Sequence, residues 1–231
     1  MLFSQFLEAL RSRWPRSAAR LVRKGWRLRK RGKLDEAIAL LDEAISLDSR
    51  MAMAYTHRCA CYCDLHQYAQ AMDDANQAVA LAPEKAASYR WRAYAAYRLG
   101  RSESVVPDLN KALQLAPEDP WIYNERAWAF CQAGDYCAAI ADAERFLEQC
   151  PKEAHGYFAR AWSRSSQGEF DSALADVDEA VRLKPKNGEF LPLRGSLLSR
   201  LGRLEEAIEE FDAVLEADSA IARVYYDRAV A

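Results

Sequence analysis

The chain has 231 residues, about half of them apolar, and a formal net charge of -2, so it can bury a sizeable core and shows no global charge bias. Its six cysteines are unevenly spaced in a chain long enough to have its own core, which argues against a secreted disulfide framework. No stretch approaches the ~18 consecutive apolar residues of a membrane span, and polar residues interrupt Leu2 to Leu10, where a signal peptide would be apolar. A cytoplasmic protein is expected.

Charge is distributed unevenly along the chain, with eleven Lys or Arg and no acid between Arg11 and Lys33. Such asymmetry often marks an interaction tail or surface. Within residues 1–17, Phe3, Phe6, Leu7, Leu10 and Trp14 recur at helical spacing beside Arg11 and Arg13, and Pro15 breaks the pattern. This basic, aromatic segment reads either as a cap packing on Leu21 and its neighbours or as a helix lying on an anionic membrane surface.

From residue 18 the sequence repeats. Gly32, Gly100, Gly134, Gly168 and Gly202 fall on one 34-residue grid, with His66 at the remaining node. Six units follow, 18–51, 52–85, 86–119, 120–153, 154–187 and 188–221, and residues 222–231 begin a seventh. Ala37, Ala71, Val105, Ala139, Ala173 and Ala207 share a second column, and Pro83, Pro117, Pro151 and Pro185 a third. Each unit reads as two helices. The first ends at the glycine node, where a left-handed backbone costs little without a Cβ. The second shows apolar residues at helical spacing, as in Ala37, Ile38, Leu41 and Ile45, and the proline column ends it. One helix pair cannot bury its own apolar face, but stacked pairs can. The fold is therefore expected to be all-α.

These units resemble the tetratricopeptide repeat. The match includes the unit length, Gly134-Asp135-Tyr136, Ala139 to Asp142, and Leu81-Ala82-Pro83, and covers about 204 of 231 residues. The resemblance implies a right-handed superhelical solenoid of antiparallel helix pairs, with a concave wall made by the first helix of each unit. Pro107, early in the second helix of its unit, departs from the pattern and should loosen the first turn.

Three sets of residues could carry chemistry. Cys59, Cys63 and His66 fall at i, i+4 and i+7 of one helix, with His57 and Cys61 nearby. Zinc needs about four ligands in a tetrahedron. Cys59, however, occupies the column of Gly25, Ala93, Ala127, Ala161 and Gly195, so a small buried side chain is the expected role and no metal or cofactor is assigned. A second set is a column of bases at the seventh place, Lys24, Arg58, Arg92, Arg126, Arg160 and Arg194. It faces an acidic column, Asp74, Asp108, Asp142, Asp176 and Glu210, with Leu40 as the exception, so a repeated structural ion pair is expected. With an acid beside each arginine, little field remains for nucleic acid, and none is expected as partner.

The third set is implied by the resemblance. The second, fifth, ninth, twelfth and thirteenth places of each unit line the concave groove in that family. Here they include Trp26, Arg90, Tyr94, Tyr97, Arg98, Trp121, Asn124, Trp128, Phe158 and Trp162. Aromatic and Arg side chains are the usual energetic anchors of interfaces. The five-residue clamp with which one subset of the family holds a C-terminal carboxylate is not matched: Arg90 is followed by Tyr94 where Asn is required.

The histidines are scattered, and there is no phosphate loop, nucleophile elbow or metal-spaced His-Glu cluster. An enzyme is not expected. The expected function is an adaptor or scaffold that holds a peptide or helix in its groove. Its alternatives are a membrane-associated assembly factor tethered by the N-terminus and, less favoured, an RNA-binding helical repeat. Self-association through an uncapped C-terminal end is a further expectation.

Overall fold

A computed structural model describes residues 18–185 and 187–217. The N-terminal segment 1–17 and the partial repeat 222–231, with the readings placed on them, lie outside the described residues. Among these residues the chain is entirely α-helical, an all-α helical-repeat solenoid of twelve helices. They divide into two compact units, Met1–Glu118 and Asp119–Ala231.

The first unit contains α1 (18–29), α2 (Leu34–Leu47), α3 (Ala52–Asp64), α4 (Tyr68–Leu81), α5 (Ala86–Arg98) and α6 (Ser102–Leu115). The second contains α7 (Pro120–Ala133), α8 (Tyr136–Gln149), α9 (Ala154–Ser166), α10 (Phe170–Leu183), α11 (Leu191–Arg200) and α12 (Leu204–Ala217). Odd-numbered helices are the first of each pair and even-numbered ones the second.

The five node glycines all adopt positive φ, between 72° and 83°, which lets each first helix reverse into the second. His66 takes the same left-handed conformation, φ 60°, although it carries a Cβ. Where capping side chains occur they are aspartates: Asp119 accepts from the Trp121 N–H and Asp135 from the Ala138 N–H, both at 3.1 Å. Pro107 sits inside α6 rather than at its first turn, and the helix continues through it.

Small residues set the helix spacing. A Cβ on Gly25 would lie 3.0 Å from Leu41 Cγ of the paired helix, and one on Gly195 2.9 Å from the Phe211 ring. In the first unit Val22, Leu41, Ala44, Ala54 and Cys61 form a core joining α1, α2 and α3. In the second, Leu174, Val177, Phe190, Leu197 and Leu198 form the larger core, beside a smaller cluster of Ala127, Ala143 and Ala159 under Trp128.

Consecutive repeats meet through a fixed pair of places. The fifth place of one first helix packs on the third place of the next: Thr56 Oγ1 lies 3.2 Å from Ser88 Oγ, and the Phe158 and Phe190 rings are 4.8 Å apart. The third place also abuts the preceding second helix, since a Cβ on Gly156 would come within 2.6 Å of Phe146 Cδ1.

Candidate functional site: an aromatic cavity between first helices

From the second repeat to the sixth, the base column forms ion pairs inside each repeat. Arg58 donates from Nε and Nη2 to Asp74 at 2.8 and 2.6 Å, and Arg92 does the same to Asp108 at 2.8 and 2.6 Å. Arg126 meets Asp142 at 2.6 and 2.8 Å, Arg160 meets Asp176 at 2.9 and 2.7 Å, and Arg194 bonds Glu210 through Nη1. This two-point contact matches the planar guanidinium to the carboxylate. The aspartates accept it while buried, and their hydrogen bonds push the Arg58, Arg92, Arg126 and Arg160 guanidinium groups even further above neutrality.

A third column extends the pairing between repeats. Asp42, on the preceding second helix, accepts from Arg58 at 2.5 Å, and Asp178 accepts from Arg194 at 2.6 Å. Each guanidinium from Arg58 to Arg160 also lies 5.4 to 5.8 Å from the ring of a tyrosine three residues earlier, Tyr55, Tyr89, Tyr123 or Tyr157. That fourth-place tyrosine column is visible in the sequence and escaped notice because no ligand-binding role attaches to it.

The cysteines of α3 are core residues. Cys59, Cys61 and Cys63 are all buried, and burial pushes the Cys61 thiol up to about 11. Cys61 packs with α1 and α2, whereas Cys59 and Cys63 stand one turn apart on α3, and all three are free thiols. No group of three His, Cys, Asp or Glu among the described residues could hold a metal ion.

In the first unit, two of the residues expected on a groove, Tyr94 and Arg98, join Arg29, Tyr68 and Trp91 in a cation–aromatic cluster. Arg29 donates to Asp64 at 2.7 Å and lies 5.1 Å from the Trp91 ring. Tyr94 stands edge-on to Trp91 and to Tyr68, and Arg98 lies 4.4 Å over Tyr68 while donating to the Tyr94 hydroxyl at 3.0 Å. Trp26 and Tyr94 are exposed; Arg90 and Tyr97 are half-buried.

The second unit holds a cavity. Trp121 and Trp162 are each 39% exposed, but they differ in what lies around them. Trp121 stacks 5.1 Å from the buried Phe146 ring. Trp128 and Phe158 are half-buried partners at 5.4 Å, and Phe158 lies 6.4 Å from Trp162. Between α9 and α11 these last two rings line a cavity of about 520 Å³ with Ser165, Ser166, Glu189, Pro192, Leu193, Ser196, Ser199, Arg200 and Phe211. All but Leu193 and Phe211 stand at the groove places of the fifth and sixth repeats. Asn124, expected on the groove, is instead buried at 8% exposure, because the fifth place turns toward the next first helix. Ser196, Ser199 and Arg200 were missed, since the sixth repeat has no aromatic residue at these places to draw attention to them. Arg200 stacks 5.3 Å from the Phe170 ring and makes no ion pair among the described residues.

Stacked helix pairs, reciprocal small residues and a regular 34-residue register define a helical-repeat protein of the protein-interaction class. The sequence pattern of the Iml2/Tetratricopeptide repeat protein 39 family matches residues 2–120, and that of the Tetratricopeptide repeat matches residues 158–222. The chain belongs to the tetratricopeptide-repeat family. Proteins of this family bind protein or peptide partners and are typically non-enzymatic adaptors.

Solved structures share the fold. Pseudomonas aeruginosa pilF superposes with a TM-score of 0.78 at 16% identity, over 93% of this chain and 98% of that one. A tetratricopeptide repeat protein from Parabacteroides merdae gives 0.71 at 19% identity, over 87% and 80%. YrrB, described as having an unusual peptide-binding site, gives 0.63 at 21% identity, over 80% and 95%. No curated protein matches the chain. Among the described residues no helix is long and apolar enough to cross a membrane.

Proposed function

We propose that this protein is an adaptor that captures a peptide or helix of a partner protein in the cavity between α9 and α11. The observation that carries the reading is that cavity, which gathers the groove places of two successive repeats around Trp162. An exposed indole in a concavity is poorly hydrated and loses little freedom when covered, so it favours an apolar anchor on the ligand. Arg200, stacked on Phe170 and without an ion pair among the described residues, favours a carboxylate beside that anchor. The four serine hydroxyls can meet the ligand's backbone. YrrB, with its peptide-binding site on the same fold, supports the general mode.

Selection of a displayed peptide library against the full chain tests this. Enriched sequences should place an aromatic or aliphatic residue next to an acid, and their binding should fall at least tenfold in Trp162→Ala. Selected peptides that bind Trp162→Ala as well as the parent would overturn the proposal.

A further inference from the structure

The two charged residues that line the α9–α11 cavity have opposite signs and stand at opposite ends of it. Glu189 lies at the second place of the sixth repeat, two residues before α11 begins, and Arg200 is the last residue of that helix. Eleven residues at about 1.5 Å each put the two backbones roughly 16 Å apart. Both residues are exposed, and both line the open volume between the helices. Neither makes an ion pair among the described residues. Around Glu189, Lys184 is held by Glu153 at 3.6 Å, and His155 stays neutral at pH 7 because burial lowers its pKa. At the other end Arg200 stacks on Phe170, a ring without a formal charge.

The lining between the two charges follows an order set by place along the helices. Phe158 and Pro192, both fifth places, follow Glu189; Trp162, a ninth place, stands in the middle; Ser166 and Ser199 lie beside Arg200. Spread over about 16 Å, the cavity of about 520 Å³ has a cross-section of about 30 Å². That admits an extended chain. A helix about 10–12 Å across needs more than twice as much.

We propose that the cavity selects an extended peptide with a base at one end and an acid at the other. A Lys or Arg faces Glu189, a carboxylate faces Arg200, and the apolar anchor between them covers Trp162. An extended chain rises about 3.3 Å per residue, so base and acid stand about five residues apart. An acid at the Glu189 end would meet like charge, so Glu189 rejects wrong ligands as well as attracting right ones. This selectivity rests on peptide capture in the cavity as proposed above, and adds to it the base, the spacing and the extended form.

A displayed library of random peptides is selected against the full chain. Enriched peptides should carry Lys or Arg about five residues from Asp or Glu, with an aromatic or aliphatic residue between them. One of these is then synthesised with a fluorescein label and with Lys, Gln or Glu at the basic position. In anisotropy at low salt the Lys form should bind the parent about tenfold tighter than the Glu form, since an exposed pair contributes a few-fold and repulsion removes as much again. In Glu189→Lys the order should reverse, and high salt should shrink both preferences. Glu189 is exposed, and an unchanged circular dichroism spectrum confirms that the variant folds. Selected peptides that need Trp162 but lack such a base, or Lys and Glu forms that bind the parent equally, overturn the charge pattern and leave capture standing. If no selected peptide loses affinity in Trp162→Ala, capture in the cavity fails and the charge pattern fails with it.

Discussion

Arg160 and Asp176 stand sixteen residues apart in the chain and meet through two hydrogen bonds, Nε to Oδ2 at 2.9 Å and Nη2 to Oδ1 at 2.7 Å. Sixteen residues is the distance from the middle of a first helix to the middle of its second, so the pair fixes the register of the hairpin. Arg164 adds a third bond to the same carboxylate at 2.8 Å. Removing the carboxylate takes the hydrogen-bonded partner from two half-buried guanidinium groups and leaves them the longer contacts to Glu144 at 3.6 and 3.7 Å. Asp176→Ala should therefore lower stability by about 2–3 kcal/mol, the low end for a buried pair because the arginine edges reach water. Glu179→Ala, which breaks the exposed pair with Arg182, should leave the urea midpoint unchanged. Equal effects of the two substitutions in urea titrations would contradict a structural role for the column.

Gly156 is required by packing, not by backbone conformation. Its missing Cβ would meet Phe146 and Leu147 within 2.6 to 2.9 Å, and both belong to the well-packed interior of the second unit. Gly156→Ala should cost about 1–3 kcal/mol through overpacking. Gly188→Ala, where a Cβ meets nothing within 4 Å, should be nearly neutral in the same thermal melts.

At the second node the opposite substitution should help. His66 holds φ 60° and is exposed, with its Nδ1 2.7 Å from the Tyr68 hydroxyl. A left-handed conformation costs an L-residue about 1–2 kcal/mol. The extra freedom of glycine in the unfolded chain takes back part of that gain. His66→Gly should thus raise stability by up to about 1 kcal/mol, read as a higher urea midpoint. A lower midpoint would mean that the bond to Tyr68 outweighs the strain.

The repeats were legible because period, node and proline columns each recur, and backbone physics gives each a local cause. The ion-pair column was legible for the same reason: charge at the seventh place has few structural explanations. The groove was read less well. Sequence places Asn124 and Trp162 on one stripe, yet one is buried and the other exposed, because the fifth place packs on the next first helix while the ninth lines the cavity. The cavity exists where Pro192, Ser196 and Ser199 are too small to fill the space before Trp162, a property of two repeats together that neither repeat shows alone.

Two histidines link stability to pH. Burial first, and then Arg29, lowers the His57 pKa below its ordinary 6.5; burial and the Lys184 ammonium do the same for His155. Below about pH 6.5 the unfolded chain then binds protons that the folded chain refuses, so stability is lost as pH falls through that value. The urea midpoint should drop between pH 7.5 and 5.5, and the double variant His57→Gln, His155→Gln should drop less. An identical drop in parent and variant would assign the effect to other groups.

Phe158 and Trp162 lie on the same face of α9, one turn apart, and should respond differently to truncation. Phe158 touches Trp128, Phe190 and the larger core of the second unit, and is half-buried before any ligand arrives. Phe158→Ala should cost about 3 kcal/mol or more, as loss of a buried ring does. Trp162 leaves 39% of its surface in water and its nearest ring partner is Phe158 at 6.4 Å. Its substitution removes little packing, so Trp162→Ala should melt within a few degrees of the parent. The binding side reverses the order. An indole left exposed in the cavity lining can be covered by a ligand, whereas Phe158 is already half-covered by Trp128 and Phe190 whichever ligand is present. Trp162→Ala should therefore abolish peptide capture in a chain that remains folded. Phe158→Ala should weaken capture only in proportion to the fraction unfolded. Thermal melts and anisotropy on the same preparations separate the two effects. A Trp162→Ala chain that melts far below the parent would make that ring part of the core and remove the anchor from the proposed site.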